Sequence, residues 1–177
     1  MLELKRQSFA QSVSQNATLW KAKIYVGMAR YQEALDLEAE AGRENAPIEP
    51  YLAVAYARLG HWHRALSIAE EALQANLPGA EMAMGHVYFE DKEYELALQW
   101  FEAAIRPRNQ RAVALRNIGK TLICLGDYPE ARAAYEAAIR LTPFVRPDDL
   151  LQLAECLRHT QQERAAVEME ILAHAKA

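Results

Sequence analysis

Two short stretches and two cysteines hold side chains able to do chemistry. Gly119-Lys120-Thr121 has the look of the end of a phosphate-binding loop, in which a lysine and a hydroxyl meet a nucleotide's phosphates. Such a loop also needs a glycine five residues earlier, just after a strand. Here that place is Ala114, inside a helical run whose amides are already hydrogen-bonded. His61-Trp62-His63 offers two imidazoles, but residues two apart point in different directions, and no third ligand stands at metal-binding spacing. Cys124 and Cys156 are too few for a disulfide framework and lack metal-ligand spacing; both are expected to be buried as small apolar residues in a reducing compartment. His159 and His174 fall at expected helix ends, where a charged imidazole suits the dipole. No nucleophile–base pair or paired carboxylates stand out. The expectation is a protein that is not an enzyme, with no cofactor and no metal site.

The elements that would carry any site are legible from punctuation and charge. The net charge of −4 argues against a general affinity for nucleic acid. A basic run, Arg106, Arg108, Arg111, Arg116 and Lys120, keeps nucleic acid as a competing reading testable by salt dependence. The acidic run Glu33, Asp36, Glu38, Glu40, Glu44 and Glu49 reads as a solvated face. The first ten residues hold no apolar stretch of signal-peptide length, and no apolar run is long enough to span a membrane. The cytoplasm is therefore the expected address, with no membrane insertion.

Internal repetition organises the whole chain. Breaks at residues 27–31, 58–62, 90–94, 124–128 and 160–163 separate helical runs, and three columns of small residues align on them. The first column is Ala22, Ala53, Gly85, Gly119 and Ala154. Twelve residues later come Ala34, Ala65, Ala97, Ala131 and Ala166, and seven beyond those Ala41, Ala72, Ala104, Ala138 and Ala173. The inner offsets never vary, while the steps between units run 31, 32, 34 and 35. A rigid helix pair with a variable outer connector behaves in this way. Two helices cross closely only where nothing longer than a methyl intervenes, with large residues such as Tyr25, Tyr56, Tyr94, Phe101 and Tyr135 filling the space around the crossing.

Helix pairs are expected over 15–28 with 31–43, 49–59 with 62–76, 79–90 with 94–106, 110–125 with 129–141, and 148–159 with 162–175. Pro50 and Pro129 suit first turns, and Asp148 suits an N-cap. Residues 1–14, with Leu2, Phe9 and Val13 on one face, are expected to form a separate capping helix or arm.

The run Gly119-x2-Leu122-x3-Gly126-Asp127-Tyr128-x2-Ala131-x3-Tyr135-x2-Ala138-x4-Pro143 resembles a near-consensus tetratricopeptide repeat. The run Gly85-x2-Tyr88-x5-Tyr94-x2-Ala97-x3-Phe101-x2-Ala104 is similar. The unit around Ala22 departs from the pattern, with Lys21 where an apolar residue is usual. The resemblance covers roughly residues 15–175 and implies an all-α, right-handed α-solenoid of about five repeats. The units run over about 15–45, 46–77, 78–111, 112–146 and 147–177, within one domain over 15–177.

In that family the first helix of each pair lines a concave, protein-binding groove. Carried onto this chain, the resemblance implies groove residues Trp20 and Lys23; Tyr51, Val54 and Arg58; Met82, His86 and Phe89; Arg116, Asn117 and Lys120; and Gln152, Glu155 and Arg158. The first three rows are aromatic and apolar and the last two more basic. That pattern implies a partner peptide or helix with apolar side chains and an acidic group. The expected role is an adaptor or assembly scaffold. Ala154-Glu155-Cys156-Leu157 is also similar to a sequence in cytosolic type III secretion chaperones that hold translocator proteins, which makes such a chaperone the alternative. The last helix, with Val167, Met169, Ile171 and Leu172, leaves a homodimer through a terminal helix open.

Overall fold

Small side chains decide where these helices meet. Every residue of the three columns is buried, from Ala22 to Ala173, and most have no exposed surface at all. Gly119 shows the reason for a small side chain there. A Cβ added to it would lie 2.7 Å from the Tyr135 ring, which is itself buried on the partner helix. Even a methyl is too large at this crossing.

The computed structural model describes residues 2–106, 110–143 and 145–176; the side chains of residues 2–11 and 14 lie outside that description. The helices are α1 (Leu2–Gly27), α2 (Tyr31–Leu35), α3 (Glu38–Glu44), α4 (Glu49–Arg58), α5 (Trp62–Gln74), α6 (Ala80–Glu90), α7 (Tyr94–Ala103), α8 (Arg111–Leu125), α9 (Tyr128–Arg140), α10 (Pro147–His159) and α11 (Glu163–His174). No strand occurs among the described residues. The fold is the expected all-α architecture of helix hairpins.

The chain divides into two compact units, residues 1–91 and 92–177. In the first, α4 pairs with α5 and packs on α1 and α2, while α6 lies against α4 and α5. In the second, α8 pairs with α9 and touches α7, and α10 packs on α9 while pairing with α11.

The hairpin turns share one backbone device. Ala29, Gly60, Lys92, Gly126 and Gln161 all have positive φ, at the same 31, 32, 34 and 35 steps as the small columns. Around them the amides of Arg30, His61, Asp127 and Gln162 donate to the carbonyls of Tyr25, Tyr56, Leu122 and Leu157, at 2.8–2.9 Å. A second amide, that of the positive-φ residue, donates to the carbonyl three residues before it, as at Gly126 to Ile123. This is the Schellman closure, which satisfies carbonyls that a helix end leaves open.

The first repeat departs from expectation in two places. Residues 1–14 are not a separate helix: the backbone of residues 2–27 is one continuous α1. Leu2 and Phe9 lie outside the described side chains, and Val13 is exposed. The helix expected over 31–43 is two, α2 and α3, because the Leu37 amide donates to Ala34 three residues back and breaks the four-residue ladder.

This hairpin is also held by polar contacts. Lys21 stands where Leu52, Met84, Ile118 and Leu153 are buried in the other repeats; here its ammonium reaches Glu40 at 2.8 Å. The buried Thr18 hydroxyl donates to Glu44 at 2.6 Å, and the Gln15 amide to the Glu44 carbonyl at 2.7 Å. Glu38 accepts from Tyr56 and Arg64. The acidic run is therefore a cross-helix network as well as a solvated face.

Two smaller expectations also change. Asp148 is not the N-cap: Arg146 is, with Pro147 opening α10 and Asp148 in its first turn. Cys156 is buried, but Cys124 is exposed. Cys124 sits five residues after Gly119, on the open end of the helix, where Gly27 and His159 are exposed too.

Candidate functional faces of the first helices

The residues expected to line a groove fall on α1, α4 and α6 in the first unit and on α8 and α10 in the second. The columns turn one face of each first helix onto its partner, so residues on the opposite arc are left to solvent or to a ligand. Five of the expected residues are packed or have polar contacts of their own within the fold.

Val54 is only 7% exposed and belongs to the core between α4 and its neighbours. The other four are three arginines and Asn117. Arg116 does not stand ready as a cation for a partner: its Nε lies 2.6 Å from Asp149 Oδ2, and the two side chains are 13% and 4% exposed. This is a buried ion pair tying α8 to α10, and its charge is already neutralised. Arg58 reaches Glu90 across to α6 at 2.8 Å. Arg158 is bound to Glu170 and Glu163 of α11 within its own hairpin. Asn117 contributes its backbone carbonyl to the buried Thr121 hydroxyl at 2.8 Å, and its side chain is half-buried. The expected basic row of the second unit is thereby largely used within the fold. Lys120 is exposed on α8, and Gln152 and Glu155 are half-buried on α10.

The first unit keeps its expected character. Trp20 is 58% exposed, with the Lys23 ammonium 4.8 Å from its ring centroid. Such a cation over an indole is worth about 0.5–1 kcal/mol at an exposed site. Tyr51 on α4 and Met82, His86 and Phe89 on α6 are half-buried. Burial raises the Tyr51 phenol above its ordinary pKa, so it stays a neutral, amphipathic contact at physiological pH.

The remaining motifs are explained by packing. Gly119 and Thr121 are buried in mid-helix, which leaves no loop for phosphate. His61 and His63 are exposed on either side of a half-buried Trp62. Within Ala154-Glu155-Cys156-Leu157, the Ala, Cys and Leu are core residues, and burial pushes the Cys156 thiol up to about 11. Of the basic run, Arg106 and Arg111 are exposed and Arg108 lies outside the described residues.

One feature was not legible in the sequence. A cleft of about 200 Å³ opens among α3, α4 and α5, lined by Glu38, Asn45, Glu49, Arg64 and Glu71 over an apolar floor. Its acids come from three helices at unrelated spacings. No helix among the described residues is long and apolar enough to cross a membrane.

Hairpins locked through small columns and closed by a shared turn define a helical-repeat protein. Residues 76–143 match the Tetratricopeptide repeat family model. No curated protein matches the chain in sequence. Among solved structures it is similar to TTC0263, a thermophilic TPR protein of Thermus thermophilus, at 22% identity and TM-score 0.75, covering 93% of this chain and 92% of that one. It is also similar to PilF of Pseudomonas aeruginosa, at 18% identity and TM-score 0.77, covering 95% and 78%. MamA of Desulfovibrio magneticus RS-1 shares 20% identity and TM-score 0.65, covering 92% and 94%. At such identities the likeness is one of fold.

Proposed function

We propose that this chain is a protein-binding adaptor or scaffold that holds an apolar segment of another protein along the first-helix faces of its first unit. The observation that carries this reading is the row of aromatic and apolar side chains left partly open there: Trp20, Tyr51, Met82 and Phe89. Side chains of this kind, rimmed by Lys23 and His86, anchor protein contacts far more strongly than their neighbours do. The partner's recognition is apolar and aromatic, with no acidic anchor required, because Arg58 and Arg116 are already neutralised by Glu90 and Asp149. The repeat family supports a protein partner over a small molecule, since its motif builds stacked helices that expose long surfaces.

The test is affinity purification from the native cell, followed by titration calorimetry on the captured protein. Tyr51→Ala and Met82→Ala are each expected to weaken binding by about tenfold, with helical circular dichroism unchanged. Unaltered affinity in both variants would remove the first unit's face from the account.

A further inference from the structure

We propose that the cleft among α3, α4 and α5 is a site for a primary ammonium group on a short apolar stem, the chemistry of a lysine side chain or a free alkyl diamine. None of its lining residues belongs to the Trp20–Phe89 face.

The cleft follows from the broken helix of the first repeat. In the later hairpins the second helix packs along the next first helix: α5 on α6, α7 on α8 and α9 on α10. In the first repeat only α2 does so, against α4. Past the break at Leu37, α3 packs on α1 and makes no comparable contact with α4 or α5. The space left between them is about 200 Å³. Its floor is the apolar surface of Ala46, Leu52 and Ile68, all buried residues.

The walls carry three carboxylates, Glu38, Glu49 and Glu71, against one guanidinium, Arg64. Arg64 is engaged by Glu38 at 2.9 Å, and Glu38 also accepts from the Tyr56 hydroxyl at 2.8 Å. Glu71 accepts a long bond, 3.4 Å, from Ser67 one turn earlier on α5. Glu49 is the group that points to a ligand. It is half-buried, its Oε2 is fully enclosed, and no donor reaches that oxygen. An enclosed carboxylate oxygen without a donor is costly to keep, and a cation in the cleft supplies what it lacks. The acids do not converge as ligands of a metal ion: among the described residues no group of three or more His, Cys, Asp or Glu is placed for that. A lysine-like group suits the cleft better. Its ammonium brings three rotatable donors to the walls, and its carbon stem lies along the apolar floor.

Nuclear magnetic resonance titration of the full chain with N-acetyl-lysine methylamide tests this. Saturable shifts are expected at the amides of Ala46, Leu52 and Ile68. The norleucine analogue, which keeps the stem and lacks the ammonium, should bind at least about tenfold more weakly. Glu49→Gln, which keeps the side chain's size, should weaken the lysine probe about tenfold, with helical circular dichroism unchanged. Glu70→Gln, on the exposed side of α5, should leave it unaltered. Butane-1,4-diamine separates the two sources: tighter binding than the blocked lysine points to a free amine, weaker binding to a protein's lysine. Absent or unsaturable shifts, equal affinity for the norleucine analogue, no effect of Glu49→Gln, or an equal effect of Glu70→Gln would each overturn the proposal. None of these outcomes touches the Tyr51 and Met82 titration, so the two readings fail separately.

Discussion

At the residue scale, backbone conformation at the hairpin turns explains more than any side-chain contact. Gly60 and Gly126 hold positive φ at no steric cost, while Ala29, Lys92 and Gln161 hold it with a Cβ. For an L-residue with a side chain this conformation costs about 1–2 kcal/mol. A Cβ added at Gly126 would meet nothing within 4 Å, so its substitution isolates the backbone term. Gly126→Ala should therefore destabilise by about 1 kcal/mol, and Gln161→Gly should stabilise by about 0.5–1 kcal/mol. Urea unfolding measures both. Changes of the opposite sign would show that side-chain contacts, not φ, govern the turn. The repeat steps in the sequence located these turns, but not the conformation three non-glycine residues adopt there. That follows only from the Schellman closure that the backbone imposes.

At the element scale, helices meet where nothing protrudes. Gly119→Ala puts a methyl against the buried Tyr135 ring, and is expected to cost about 1–3 kcal/mol. Tyr135→Leu in the same chain should recover part of that loss; no recovery would place the strain elsewhere. The small columns were readable because close approach constrains residue type at fixed spacing. Ion pairs were not. Arg116 and Asp149 lie thirty-three residues apart, on α8 and α10, and nothing in either repeat marks them as partners. By position alone Arg116 reads as a groove cation. Val54 is packed while Lys23 and Lys120, each likewise one residue past the first small column, are exposed, and nothing in the repeat pattern marks that difference. Removing the guanidinium strands a buried carboxylate, so Arg116→Met should cost about 3 kcal/mol, and adding Asp149→Leu should restore most of it. Thermal unfolding of the two variants decides; a harmless Arg116→Met would return that arginine to the candidate site.

At the scale of the whole molecule, each unit carries the same packing code but a different surface. The first leaves aromatic and apolar side chains partly open on α1, α4 and α6. The second commits Arg116 to Asp149 and Arg158 to Glu163 and Glu170. The helical-repeat architecture was legible in the sequence; which side chains stay open on the first helices depended on pairings between distant residues. The most direct measurement is photo-crosslinking in the native cell, with a photoreactive side chain placed at Tyr51, at Phe89, or at exposed Glu70 on α5. The account predicts adducts with one and the same protein from Tyr51 and Phe89 and none from Glu70. Adducts from Glu70 with none from Tyr51 and Phe89 would contradict it.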